Sequence, residues 1–249
     1  MLSLRGVSKT YLTERFEVEA LSGIDLHIAE GAFVALVGRS GSGKSTLLHL
    51  MGLIDDVTRG SIVYCGVQVA GMAEQERAAL RRGTSSLIFQ DTRLIDELDV
   101  RANIEVGVRY RDLSHAACRM RVEEAMDFVG IGHRAAHKVP TLSAGQQRRV
   151  EIARAIVSRP RILFADEPTG DLDARAAAQM LQILWQLNRG GTTVVMATHS
   201  AEYAAVAGEI IYLADGLRIE IEGVKTMVAW HFRDEVGGAR KAVELRNRR

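Results

Sequence analysis

Short continuous apolar runs alternate with amphipathic segments along most of the chain. Continuous runs, rather than alternating ones, are typical of strands that are covered on both faces in a parallel sheet. The runs are Phe33–Val37, Leu87–Phe89, Ile162–Ala165 and Val194–Ala197. The pattern therefore predicts four buried strands.

Three segments between these runs have helical periodicity. In the first, Ser114 is the predicted N-cap and Gly130 the predicted stop signal. The predicted helices are Ser114–Val129, Val150–Val157 and Arg175–Leu187. Strands that alternate with helices indicate an α/β fold.

Both ends of the patterned region have a different character. Leu2 to about Ala32 is strand-like with turns, which predicts a small antiparallel sheet. Ile210–Ile221 predicts a hairpin around Asp215 and Gly216.

Composition narrows the class of protein. Of 249 residues, 47% are hydrophobic and 25% charged, which is the balance of an ordinary globular domain and excludes disorder for most of the chain. Lys and Arg number 32 against 31 Asp and Glu, and a net charge of +1 argues against a general nucleic-acid binder. The two cysteines, Cys65 and Cys118, form no metal or redox motif. Neither a signal peptide nor an apolar stretch of ~18 residues is visible, so we expect a partner to supply any membrane span.

Polar residues follow each predicted strand. They are Gly38–Thr46 after the first, Gln90 after the second, Asp166 and Glu167 after the third, and Thr198 and His199 after the fourth. Because ligands bind outside the carboxyl ends of parallel strands, these groups are expected at one edge of the sheet.

Gly38–Ser45 matches G-x-x-x-x-G-K-[ST] between a predicted strand and a helix, the context in which this motif binds phosphate. Its backbone N–H groups and the following helix N-terminus favour phosphate oxygens. Lys44 would neutralise the β- and γ-phosphates, and Ser45 would ligate Mg²⁺. The candidate nucleotide-binding residues are Gly38, Arg39, Ser40, Gly41, Ser42, Gly43, Lys44, Ser45 and Thr46.

Two acidic residues end the third strand. Asp166 is expected to hold Mg²⁺, and Glu167 to orient or deprotonate the attacking water. Such a pair is also compatible with a solvated strand end, but the phosphate loop favours the catalytic interpretation.

Leu142–Arg149 opens the helix that leads to the Asp166 strand, and the start of this helix is a second candidate anion site. Ser143 is a good N-cap, and a serine hydroxyl, the Gly145 N–H and a helix N-terminus together favour an anion. One nucleotide does not easily fill two separated cradles in one chain. Two chains sharing two nucleotides would use both.

Together these segments resemble the ATP-binding cassette (ABC) ATPases. The resemblance spans roughly Leu2 to Ile219 and rests on Gly38–Thr46, Gln90, Leu142–Gln147, Ile162–Pro168, Asp171–Asp173 and Thr198–His199. Within the family, the chain is most similar to the subgroup that serves lipoprotein release and macrolide-type export. The resemblance implies a P-loop NTPase core with a mostly parallel sheet, an N-terminal antiparallel β subdomain and an inserted α-helical subdomain at about 91–160. It assigns 1–219 to the ATPase domain and 220–249 to a C-terminal extension.

The resemblance also implies roles for single residues. Tyr11 would stack on adenine, although a core filler is an equal alternative, and Asp173 would lie at the dimer interface. His199 would touch the γ-phosphate and act with Glu167, and the alternative is a histidine satisfied at a strand end. Gln90 would contact Mg²⁺ or the attacking water, alongside Ser45 and Asp166 as metal-site residues. The residues of the trans-acting segment are Ser143, Gly145 and Gln146. Ala144 and Ser200 depart from the usual Gly and Asp of the family.

The implied function is an ATPase that uses ATP and Mg²⁺ and pairs head-to-tail with a second copy. It would serve integral membrane permease subunits, with an extracytoplasmic adaptor as a further partner, at the cytoplasmic face of the inner membrane. Its cargo would be a lipoprotein, a peptide or a drug-like molecule. The alternatives are a regulatory cassette that signals to a hydrolase, or an ABC protein acting on the ribosome or DNA. The basic end of 220–249 is either a solvated tail or a contact for anionic lipid or a partner.

Overall fold

The computed structural model describes residues 1–12 and 16–220, which form two β-sheets and a set of helices. The strands are β1 Leu2–Leu12, β2 Glu17–Ile28, β3 Phe33–Val37, β4 Arg59–Tyr64, β5 Val67–Gln68, β6 Ser85–Ile88, β7 Ile162–Asp166, β8 Thr193–Thr198, β9 Glu209–Ala214 and β10 Leu217–Ile219. The α-helices are α1 Lys44–Met51, α2 Glu74–Thr84, α3 Val100–Glu105, α4 His115–Val129, α5 Ala144–Ile156, α6 Ala174–Arg189 and α7 Ala201–Ala204. Short 3₁₀ turns span Val106–Val108, Gly132–Arg134 and Val139–Thr141.

The larger sheet has the strand order β10-β9-β3-β8-β7-β6, and all its strands except β10 are parallel. Every residue of β3, β7 and β8 is buried, as the continuous apolar runs predict. Val34 and Leu36 of β3 face a core shared with α1 and the smaller sheet. Ala35 and Val37 face the core beneath α5 and α6. Successive strand side chains point to opposite faces of the sheet, so β3 contributes to a core on each face.

The second predicted strand is shifted in the structure. β6 starts at Ser85, which pairs with Ile162, and ends at Ile88, one residue before Phe89. The apolar run missed Ser85 because this serine is polar and yet buried. Phe89 leaves the sheet because its carbonyl accepts a hydrogen bond from Arg148 instead of from a neighbouring strand.

The smaller sheet is antiparallel with the order β2-β1-β4-β5, which confirms the predicted N-terminal β layer. The predicted hairpin is also confirmed, since β9 and β10 are joined by Asp215 and Gly216 at φ 49° and 75°. Positive φ at both turn residues suits the twist of a two-residue hairpin.

The helices α3, α4 and α5 pack on one another as a helical insert. Ser114 accepts from the amide of Ala117 at 3.2 Å, and Gly130 ends α4 at φ 69°, so both predicted signals are confirmed. α5 begins at Ala144, which confirms Ser143 as the predicted N-cap. The helix therefore starts six residues, about 1.7 turns, before the periodic segment Val150–Val157.

Among the described residues, the helices are all too short or too polar to cross a membrane. The predicted C-terminal extension, 220–249, lies outside the described residues except for Glu220.

Candidate functional site

The loop from Gly38 to Gly43 joins the end of β3 to the start of α1. A Cβ on Gly38 would lie 2.4 Å from the carbonyl oxygen of Leu213, and one on Gly43 would lie 2.7 Å from that of Ala20. Gly43 also has φ 98°, a conformation that L side chains rarely adopt. The chain therefore needs glycine at both positions to close this loop against its neighbours.

The Lys44 side chain folds back across the loop. Its Nζ donates to the carbonyl oxygens of Gly38 and Arg39, each at 2.9 Å, and the residue is 7% exposed. The hydroxyl of Ser42 is buried without a hydrogen-bond partner among the described residues. An ammonium group, an unsatisfied hydroxyl and the start of α1 thus converge, and this donor set suits phosphate oxygens.

Asp166 ends β7 and is 3% exposed. Its Oδ1 is buried and accepts no hydrogen bond from the described residues. A buried carboxylate oxygen without a partner is costly, so it calls for a cation or an ordered water. The carboxylate of Asp166 and the hydroxyl of Ser45, at the start of α1, are hard oxygen groups of the kind that bind Mg²⁺.

Glu167 lies next to Asp166 in a strained conformation, with φ 44°. Its amide donates to the carbonyl of Ala197 on β8 at 3.0 Å, and its carbonyl accepts from the amide of Gly170 at 2.9 Å. These bonds hold the strained backbone, and such strain in a non-glycine residue is concentrated at functional sites.

His199 follows β8 and contacts the side-chain carboxylate of Glu167. Its Nδ1 lies 3.0 Å from Oε2 of Glu167. The histidine side chain is 71% exposed, whereas that of Glu167 is 12% exposed. The pair therefore sits at the surface of the sheet edge, with the carboxylate sheltered and the imidazole open to a ligand.

The Tyr11 side chain lies near Thr46, the last of the candidate nucleotide-binding residues that begin at Gly38. Its hydroxyl donates to Oδ2 of Asp55 at 2.8 Å and is hydrogen-bonded to the Thr46 side chain. Burial first, and then Asp55, raise the pKa of Tyr11, so the phenol keeps its proton. Lys9 lies 4.8 Å from the ring centroid and binds Oδ1 of Asp55 at 2.6 Å. Sequence reasoning missed Lys9 and Asp55, which have no motif and are brought to Tyr11 by the fold.

The segment that is expected to act in trans, Ser143, Gly145 and Gln146, forms the N-terminal cap and first turn of α5 in this chain. Ser143 accepts from the amide of Gln146 at 3.4 Å, and the Gln146 side chain accepts from the amide of Ser143 at 3.0 Å. A Cβ on Gly145 would lie 3.4 Å from that of Ala176, so the first turns of α5 and α6 are adjacent. Asp173 caps α6 by accepting from the amide of Ala176 at 2.8 Å. Both caps are exposed, on helices other than the one that carries the phosphate loop.

Gln90 is exposed just beyond β6, and its backbone is tied to α5. The carbonyl oxygen of Gln90 accepts from Nη2 of Arg148 at 2.8 Å. Arg148 in turn pairs with Glu151 inside the protein. Sequence reasoning missed this pair because two charges on a helix usually indicate a solvated face.

Comparison with known proteins agrees with this geometry. The family model described as "ABC transporter" matches residues 21–170. An uncharacterized ABC transporter ATP-binding protein of Methanocaldococcus jannaschii is 41% identical over 221 residues, which cover 89% of this chain and 99% of the relative. The macrolide export ATP-binding/permease protein MacB 1/2 of Paracoccus denitrificans is 44% identical over 87% of this chain. The chain spans only 32% of that relative's length.

Solved structures show the same fold. The dimeric structure of MJ0796, described as a bacterial ABC transporter cassette, has a TM-score of 0.81 and 38% identity, covering 87% of this chain and 95% of that one. A dimeric post-hydrolysis state of MJ0796 bound to ADP and Pi has a TM-score of 0.81 and 36% identity, with coverage of 90% and 100%. This chain therefore belongs to the ABC transporter family, as one of its ATP-binding ATPase cassettes.

Proposed function

We propose that two copies of this chain close head-to-tail on two ATP molecules and so power the export or membrane extraction of a lipoprotein, peptide or drug-like substrate through a separate permease. The ATPase domain comprises 1–219, with the helical subdomain at about 91–160. The dimeric MJ0796 structures and the ATP-binding/permease relatives support this proposal.

One observation carries the proposal, namely that two glycine-containing segments suited to phosphate lie at the starts of two different helices of the chain. The phosphate loop opens α1, whereas the exposed cap of Ser143 and Gly145 opens α5 in the helical insert. A second copy in head-to-tail orientation brings its own Ser143, Gly145 and Gln146 to the γ-phosphate held by the first. Bound ATP then stabilises the closed dimer because the contacts to its γ-phosphate exist only in that state.

Hydrolysis uses the residues at the sheet edge. Glu167 accepts a proton from the attacking water. His199 holds the Glu167 carboxylate through Nδ1, while its Nε2 contacts the γ-phosphate. Asp173 would lie at the dimer interface beside this site. Loss of the γ-phosphate removes the contacts that bridge the two chains and releases them.

Mg²⁺ would be held by Ser45, Asp166 and Gln90, and it supplies charge neutralisation to the phosphates when bound. Lys44 neutralises the β- and γ-phosphates once its Nζ exchanges the carbonyls of Gly38 and Arg39 for them. Tyr11 stacks on adenine with the ring face that Lys9 leaves open.

A membrane subunit would dock near Gln90, at the cavity that the preceding residue, Phe89, helps to line. This cavity has a volume of about 350 Å³ and is lined by Phe89, by Glu151 and by four arginines, Arg81, Arg82, Arg111 and Arg154. Burial first, and then the charges of Arg121 and Arg82, lower the pKa of Arg111, whose Nη2 is buried without a partner among the described residues. An acidic contact from the permease suits this excess of positive charge. Such docking would place the cassette at the cytoplasmic face of the membrane as a peripheral subunit.

The proposal is tested by identifying what the ATP-bound state holds. Tagged protein carrying Glu167→Gln is purified with ATP from detergent-solubilised membranes, and tagged Lys44→Ala is the matched control. We expect the first variant to retain a permease with few spans and a large extracytoplasmic domain, and the second to retain less of it. A permease bound to a wall hydrolase would favour signalling, and recovery of ribosomes or DNA without a membrane protein would contradict transport.

A further inference from the structure

A buried ion pair lies in the middle of α5, and neither of its residues is among those assigned above to the ATP site. Arg148 is 4% exposed and Glu151 is 3% exposed. Nη1 of Arg148 lies 2.8 Å from Oε2 of Glu151. Two buried charges are expensive to desolvate, and hydrophobic residues of similar volume often serve stability as well or better. Stability alone therefore gives no reason for this pair.

Within α5, Nη2 of Arg154 lies 4.0 Å from Oε1 of Glu151. The hydrogen bonds that the pair makes outside α5 reach one segment, Phe89–Arg93. Arg148 donates through Nη1 to the carbonyl of Phe89 and through Nη2 to the carbonyl of Gln90, each at 2.8 Å. Glu151 accepts from the amide of Arg93 through Oε1 at 2.9 Å. Three backbone groups on both sides of the Gln90 side chain are thus fixed to α5.

These contacts are strong because they are charge-assisted and partly buried. A planar guanidinium that donates to two successive carbonyls fixes their direction as well as their distance. Burial raises the pKa of Glu151, and the Arg93 amide and the charge of Arg148 oppose that rise. The charged form of Glu151 is therefore stabilised in part by the Arg93 amide, which belongs to the segment that Glu151 holds.

The position of the pair on α5 links two places in the proposed dimer. Ser143 caps the helix and Arg148 lies in its second turn, so one rigid helix carries the trans-acting segment and the support of Gln90. The side chain of Gln90 itself is exposed and free to reach the site.

We propose that Arg148 and Glu151 are positioning residues, a buried clamp that sets the place of Gln90 in the ATP site and ties it to the helix that carries Ser143. This inference rests on the role proposed above for Gln90. It assigns a function to two residues that touch neither nucleotide nor metal.

The test is a double-mutant cycle on the ATPase activity of the full chain. Arg148→Met with Glu151→Leu replaces the pair by apolar side chains and removes all three bonds to the segment. This change is introduced into the wild-type chain and into a Gln90→Ala chain, and kcat and KM for ATP are measured for all four proteins. Thermal melting confirms that each one folds.

In the wild-type chain we expect kcat to fall about tenfold, within the ~10²-fold that a displacement of about 1 Å can cost. KM should stay within about twofold, since the nucleotide contacts are intact. In the Gln90→Ala chain the same change should cost nothing further, because the group that the clamp positions is already absent. Equal losses in both backgrounds, or no loss in the wild-type chain, would overturn the clamp.

Two further measurements separate positioning from support of the fold. Arg149→Met is the matched control, because Arg149 is the next arginine of α5 but reaches Val129 and Gln179 instead of Phe89–Arg93, and its kcat should be native. Glu151→Gln keeps an acceptor for the Arg93 amide and should recover part of kcat. If Gln90→Ala alone has native kcat, the role of Gln90 fails and the clamp fails with it. If only the cycle is additive, the role of Gln90 stands and the clamp alone is wrong.

Discussion

Nδ1 of His199 lies 3.0 Å from Oε2 of Glu167, across the carboxyl ends of β8 and β7. The two residues are brought together by neighbouring parallel strands, in which Asp166 pairs with Ala197. In the tautomer that carries its proton on Nδ1, the imidazole donates to this carboxylate and Nε2 is left for another partner. This arrangement is suited to a base that must keep one orientation while a water molecule loses a proton beside it.

Replacing Glu167 by Gln removes the base and retains nearly the same shape. We expect ATP binding to persist and kcat for hydrolysis to fall roughly 10²–10⁴-fold, the usual contribution of a general base. Phosphate release from ATP measures the rate, and equilibrium binding of labelled ATP measures affinity. Hydrolysis at the native rate would show that another group takes the proton.

Replacing Lys44 by Ala removes the ammonium group that bridges Gly38 and Arg39. We expect the Kd for ATP to rise by at least about tenfold, since a hydrogen bond to a charged group contributes about 1.5–3 kcal/mol. The Kd for adenosine is the control and should change little. An unchanged Kd for ATP would remove Lys44 from the phosphate site.

Replacing Tyr11 by Ala tests the adenine contact. Stacking of a base on an aromatic ring contributes about 1–3 kcal/mol, so the Kd for ATP should rise about 5–150-fold. Tyr11→Phe keeps the ring and loses only the hydrogen bonds to Asp55 and Thr46, so it should bind ATP nearly as the native chain does. Isothermal titration gives both values.

Inorganic tripolyphosphate has no adenine, so its binding tests the phosphate contacts separately from the adenine contact. Its Kd should be the same for the native chain, Tyr11→Ala and Tyr11→Phe. A parallel loss of tripolyphosphate binding in Tyr11→Ala would mean that the tyrosine supports the phosphate loop, through Thr46, and does not contact adenine.

The parts of the fold that follow local rules were predictable. Continuous apolar runs give the buried strands β3, β7 and β8, and caps such as Ser114 and Gly130 give the ends of α4. The phosphate loop was predictable because its glycines, its lysine and its neighbouring elements are contiguous. β6 was misplaced by two residues at its start, since burial of Ser85 depends on neighbours that the local pattern does not contain.

Long-range polar contacts were beyond prediction from one sequence. Lys9 and Asp55 meet at Tyr11 only after β1 and the segment beyond α1 are packed together. Arg148 and Glu151 resemble an exposed helical ion pair until the structure shows them buried against Phe89 and Gln90. In both cases a buried charged side chain needs an oppositely charged partner. The burial that creates this need is visible only in the fold.

The shared ATP site is the central claim, and the mass of the ATP-bound protein tests it most directly. Light scattering of the Glu167→Gln chain with ATP should show the mass doubling from 27.3 kDa. Adding Ser143→Arg should keep the protein monomeric while one chain still binds ATP with its own phosphate loop, because the new side chain blocks only the partner's γ-phosphate. Dimerisation of both variants to the same extent, or of neither, would contradict the account.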